Sequence, residues 1–288
     1  CRRRGPMLIR CGYRMEISFH QPTALVSMLA IRQDEPTVRF VHEERRNSLS
    51  LPTDDYIDGY GNRCQRLIAP ADALMLFGDA TVDCDDRQDP VCRQAREIPV
   101  AKLPASALIY LLGSRYCETD RLGEHAWAMF GGVAPGWGRV QAVCDFVNDH
   151  VTFGYGHASA TRTAFDTLEH KVGVCRDYAH LAIALCRCLN IPARYVNGHL
   201  GDIGVPVVDP MDFSAWIEVY LEGGWHVFDP RNNIRRIGRI VVARGRDAAD
   251  VPLINSFGPH ILENFRVWTY ELPNASTQGP NHRLAAAP

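Results

Sequence analysis

The 288-residue chain has no excess of either charge: 31 Lys and Arg stand against 33 Asp and Glu, leaving −2. A surface so balanced has no global field with which to hold DNA, RNA or anionic lipid, so neither nucleic acid nor membrane is an expected partner. No apolar run approaches the roughly 18 residues of a membrane span. The basic start, Cys1-Arg2-Arg3-Arg4, has no apolar stretch behind it, so a secretory leader is not expected and a cytoplasmic location is. Paired C-x-x-C knuckles are missing, and the ten cysteines lie in a long chain, which reads as reduced thiols with no structural zinc. The acidic loop with Asp83, Asp85, Asp86 and Asp89 lacks the glycine and terminal glutamate of a calcium loop. Neither metal nor cofactor is therefore expected.

What is there is a hydrophobic content of 46%, enough for a real core, distributed with two different periods. From residue 7 to 112 short β-rich runs are separated by turn chemistry: Tyr13–Phe19, Ala24–Ile31, Thr37–His42, Asn62–Ile68, Ala73–Phe77 and Ile98–Lys102. This predicts an antiparallel β domain. From 113 to 272 the pattern becomes α+β. Val140, Val143, Cys144 and Val147 share one helical face, a second helix follows at Thr163–Glu169, and Tyr178, Ala182, Leu185, Cys186 and Leu189 stripe a third that starts at Cys175. Strands follow at Arg194–His199, Phe213–Leu221, Trp225–Asp229 and Arg239–Ala243, with Gly223-Gly224 as a hairpin turn. Residues 1–6 are expected to lie upstream of the fold and 273–288 to form a disordered tail.

Cys175 follows Gly173 and opens a helix, where free N–H groups and the helix dipole favour thiolate. That is where a nucleophile belongs, although position alone also fits a buried core cysteine. The runs Gly173-Val174-Cys175-Arg176-Asp177-Tyr178-Ala179-His180-Leu181, Asn190-Ile191-Pro192-Ala193-Arg194-Tyr195-Val196, Ala215-Trp216-Ile217-Glu218-Val219-Tyr220 and Trp225-His226-Val227-Phe228-Asp229-Pro230 resemble the bacterial transglutaminase-like superfamily of cysteine-protease-fold proteins. The resemblance covers about residues 110–270. It implies an α+β core in which a Cys heads a helix packed on an antiparallel sheet, a hydrolase or acyltransferase with Cys175 as thiol nucleophile, Asp229 as the acid that orients an imidazole, and a peptide or protein substrate.

The family's His-Ala-Trp motif reads Ser214-Ala215-Trp216 here, so a hydroxyl occupies the position of the base. If Gly223-Gly224 forms the turn, Asp229 pairs with Glu218 and shares a face with Ser214. His226 is out of phase with Asp229, and His180 lies roughly 140° round the helix from Cys175. His199 and His157 remain as surrogate bases. Trp216 and Trp225 are candidates to line a substrate cleft, against the alternative of sheet core, and the arginines from Arg231 to Arg246 could receive an anionic substrate or simply form a solvated face. Two readings follow: a cysteine acyl-transfer enzyme acting on a peptide or carboxamide, or a catalytically degenerate binding or scaffolding protein.

Overall fold

The computed structural model describes residues 7–208 and 210–273; residues 1–6 and almost all of the expected tail lie outside the described residues. Strand β1 (Met7–Phe19) buries alternate side chains from Met7 through Ile9, Tyr13 and Ile17 to Phe19, which is why a period of two in the sequence becomes one covered sheet face. Strands β2 (Thr23–Ser27), β3 (Val38–Asn47), β4 (Asp54–Ile57), β5 (Arg63–Ala69) and β6 (Ala73–Cys84) complete the N-terminal half. The strand expected at Ile98–Lys102 is instead a short 3₁₀ turn over Val100–Lys102, because Pro99 and Pro104 bracket it and supply no N–H to a ladder.

A one-turn helix α1 (Ala105–Leu108) is followed by α2 (Thr119–Phe130) and α3 (Trp137–His150). The strand pair β7 (Thr152–Phe153) and β8 (Val172–Gly173) flanks α4 (Ala164–His170) and leads into α5 (Cys175–Cys188). Then come β9 (Ala193–Leu200), β10 (Ser214–Leu221), β11 (Gly224–Phe228), β12 (Arg239–Gly245), β13 (Ile254–Ser256) and β14 (His260–Glu271). Helix α5 is buried from Asp177 to Arg187 and packs against α2, α3, α4 and the β9–β10 pair. It is the centre of an antiparallel sheet-and-helix layer of order β11-β10-β9-β12.

The last two strands do not stay with that layer. Strand β14 pairs with β1 in the sheet β14-β1-β6-β3, and β13 pairs with β2 in the sheet β13-β2-β5-β4. Residues 254–271, expected within the C-terminal domain of 113–272, thus complete the N-terminal sheets, and the chain crosses the expected boundary twice. Their alternation, with Val267 and Thr269 buried, marks a strand but cannot name the sheet it joins.

Both faces of β10 are buried. Ala215, Ile217, Val219 and Leu221 join the α5 core, while Trp216 packs with Val196 and Val241 on the opposite face. Gly198 is required there, since a Cβ would stand 2.7 Å from the Trp216 ring. On that same face Glu218 is buried between two guanidinium groups, accepting from Arg194 Nε at 2.7 Å and from Arg244 Nη2 at 2.8 Å. Arg244 also pairs with Glu35 of the N-terminal half. Asn62 ties the two halves further: its Oδ1 accepts from the Arg244 N–H at 2.8 Å and its Nδ2 donates to the Arg244 carbonyl at 2.8 Å.

Burial pushes the Glu218 carboxyl up, but Arg194 and Arg244 outweigh it and hold the group below its ordinary 4.5. A depressed carboxyl stabilises the fold above its unfolded pKa, and that contribution disappears as pH falls through the folded value. Replacing Glu218→Gln strands two buried arginines and should cost about 3 kcal/mol at pH 7. In urea titrations the gap between wild type and variant should narrow below about pH 4.5. A gap unchanged from pH 7 to pH 3 would contradict this assignment of the network.

Candidate active site

Cys175 owes its place to the entry into α5. The Asp177 carboxylate turns back to accept the Val174 N–H at 2.8 Å, closing the helix start from within. Gly173 makes room for that carboxylate, because a Cβ there would lie 2.6 Å from Asp177. The thiol of Cys175 is half-buried at the wall of a cavity of about 850 Å³. Tyr195, Asn197, Ser214, Arg231 and Asn232 border the same cavity, and Met15, Leu262 and Phe265 from β1 and β14 form its far wall.

Burial dominates the thiol's acidity and pushes it above its ordinary 9.0. The Ala215 N–H, Arg231 and the Arg176 N–H favour the thiolate, whereas Asp212 opposes it. The depressed thiol expected from a helix start is therefore outweighed by desolvation. The arrangement holds a thiol, with two backbone donors and one cation ready for negative charge on it.

Ser214 begins β10, opposite Gly198 on β9, and its side chain is buried. The hairpin beyond turns at Glu222-Gly223, with Leu221 opposite Gly224 and Ile217 opposite Phe228. The register thus differs by two residues from the expected pairing, and β11 ends at Phe228, one residue short of Asp229. A slip of two leaves face parity unchanged, so Asp229 keeps the face of Ser214. Its carboxylate is already occupied: Oδ1 accepts from the Asn232 N–H at 2.9 Å, and Oδ2 accepts from Asn232 Nδ2 at 2.8 Å and Arg239 Nη2 at 2.9 Å. Burial raises that carboxyl, but Arg239 and Asn232 prevail and hold it below the usual range. Asp89, from the acidic loop, clamps the other side of Arg239.

Neither surrogate histidine borders the cavity. His199 is fully buried against Phe213, 4.6 Å between ring centres, and shares a hydrogen bond with Thr269 Oγ1 at 3.2 Å. Burial lowers it to about 3, so it is neutral at physiological pH. His157 is exposed in a turn over Tyr155–His157. His180 accepts the Ala248 N–H and lies flat against Tyr116, and His226 bonds the Glu222 carbonyl. The tryptophans also stand elsewhere. Trp216 is core on the sheet face away from α5, under Arg239, and Trp225 packs against Tyr110, Tyr220 and Arg194.

Sequence reasoning missed Asn232, Tyr195, Asn197 and the β1–β14 wall, including His260, which borders the cavity from an exposed position. Parity in β9 places Tyr195 and Asn197 on Ala215's face, so that pair was recoverable from a correct pairing register. The far wall was not, since it depends on a long-range strand pairing.

Residues 126–230 match the Transglutaminase-like superfamily. The fold is similar to a crystal structure from Cytophaga hutchinsonii described as a putative cysteine protease, with a TM-score of 0.84 and 29% identity over 94% of this chain and 92% of that one. An uncharacterized protein of Mycobacterium tuberculosis is 30% identical over 215 residues, 68% of each chain. Another, from Mycobacterium leprae, is 35% identical over 100 residues, 33% of this chain and 36% of that protein. With a cysteine heading the central helix on an antiparallel sheet, and with these relatives, the chain belongs to the transglutaminase-like superfamily.

Proposed function

We propose that Cys175 is an acyl-accepting nucleophile that reacts with activated acyl donors, thioesters and aryl esters, presented on a peptide or protein, and turns over amides poorly. One observation carries this reading: the thiol at the head of α5 has backbone donors and Arg231 around it, while a hydroxyl, Ser214, stands where an imidazole would be. The sulfur attacks the carbonyl carbon and the C–S bond forms as the C–O bond to the aryl oxide breaks. The thiol proton leaves to solvent hydroxide. Water then attacks the thioester, releasing the acid and regenerating the thiol. An aryl oxide departs without a proton. An amine does not, and the missing general acid costs on the order of 10²–10⁴-fold.

A second reading rests on a different observation. Asp229 gives its carboxylate to Asn232 and Arg239, which supports a cleft that binds a polypeptide segment without chemistry. A paired assay of wild type, Cys175→Ala and Ser214→His on p-nitrophenyl esters and on anilides separates the two. Wild type should hydrolyse esters, Cys175→Ala should not, and Ser214→His should raise anilide turnover at least about tenfold. Fast anilide turnover by wild type that disappears in Cys175→Ala would overturn the proposal by revealing another base. Silence on every substrate would overturn the proposal and favour the binding cleft.

The pH profile offers an independent check. A thiol raised above 9.0, with no imidazole hydrogen-bonded to it among the described residues, reacts through its thiolate fraction. The acylation rate should rise about tenfold per pH unit from pH 6 to pH 8.5, without a plateau. A plateau with an apparent pKa near 6–7 would instead identify a histidine partner.

A further inference from the structure

Among the described residues, the charges on the wall of the Cys175 cavity do not cancel. Among the described residues its wall carries Arg176, Arg231 and Arg236 against Asp202 and Asp212. Arg176 is committed, donating to the Ser159 carbonyl and lying beside Asp177. Arg231 is not, and Arg236 is only in part. Arg231 lies half-buried with its guanidinium 4.0 Å above the Phe153 ring. Among the described residues it forms no ion pair. Arg236 is 5% exposed and donates through Nη2 to the Gly201 carbonyl at 2.9 Å and to Asp202 at 2.8 Å. Its Nε is buried and has no hydrogen-bond partner among the described residues. A buried N–H without an acceptor is costly, and Arg236 also borders the cavity, where a bound anion would add to the partners of its guanidinium.

Building on the proposed acyl-transfer reading, we infer that the Cys175 cavity selects acyl groups bearing a carboxylate, which Arg231 and Arg236 receive while the reacting carbonyl faces the thiol. A guanidinium presents a rigid fork that matches a carboxylate in two parallel hydrogen bonds, and Phe153 holds the Arg231 plane in place. Asp212 is the competitor. Burial pushes its carboxyl up, against the Phe213 N–H and Arg231. Arg231 also acts on the Cys175 sulfur, so the anion site and the nucleophile adjoin.

The test pairs the p-nitrophenyl monoester of glutarate with the p-nitrophenyl ester of pentanoate, which has the same length and no charge. Wild type should favour the glutarate ester at least tenfold in kcat/KM. Arg231→Gln and Arg236→Gln should each lower the glutarate rate several-fold more than the pentanoate rate, and raising the salt concentration should erode the preference. Equal losses on both esters would overturn the inference and assign Arg231 to the thiolate or the oxyanion instead. Calorimetry with free glutarate needs no chemistry: Cys175→Ala should bind it as wild type does, and Arg231→Gln about tenfold more weakly. Glutarate binding without any ester turnover would sink the acyl-transfer reading and leave the anion site standing. Turnover without preference or glutarate binding would sink the anion site alone.

Discussion

Glu218, enclosed by Arg194 and Arg244, is the contact on which the rest of the architecture hangs. A sheet with a helix on one side normally leaves its other side wet, and the alternation of β10 reads that way. Here the second face is closed by charge rather than by another helix. The carboxylate satisfies two guanidinium groups, one of which reaches Glu35, and Asn62 completes the joint by hydrogen-bonding both backbone groups of Arg244. With β10 pinned from both sides, the position of its first residues relative to the head of α5 is fixed. That is the geometry on which any chemistry at Cys175 depends.

The same charge logic explains the altered site. In an arrangement with an imidazole at position 214, the carboxylate at 229 would orient it. In this chain the carboxylate accepts from the backbone N–H and the side-chain amide of Asn232, and from Arg239, which Asp89 holds in turn. The buried acid is not left unpaired. Its charge is neutralised by a cation anchored in the N-terminal half, which is how a buried carboxylate survives without the imidazole.

Periodicity made much of this legible. The third helix was expected from its stripe and begins at Cys175 as expected, and β9 to β12 occupy the runs read as strands. The face of Asp229 was also legible despite the displaced turn, because a slip of two residues preserves parity. Long-range pairing was not legible. Nothing in the alternation of residues 260–271 says that they lie against β1, so the far wall of the cavity and its Met15, Leu262 and Phe265 lining stayed hidden. Nor did residue type reveal the burial of the Cys175 thiol, since a helix start favours thiolate only when desolvation does not prevail.

The pairing of β14 with β1 has a consequence for the order in which the molecule can assemble. Strand β1 is the first described element of the chain and sits between β6 and β14, whose partners are met at Ile9 with Glu271 and at Phe19 with His260. While the polypeptide is being synthesised, β6 arrives early and covers one edge. The other edge, more than two hundred residues ahead of its partner, waits open until the last strand emerges. An unpaired edge invites strands from other chains, and closing so long a loop is slow. The nascent N-terminal sheet thus keeps an open edge until then, and the cavity at Cys175 gains its β14 wall only when that closure is made.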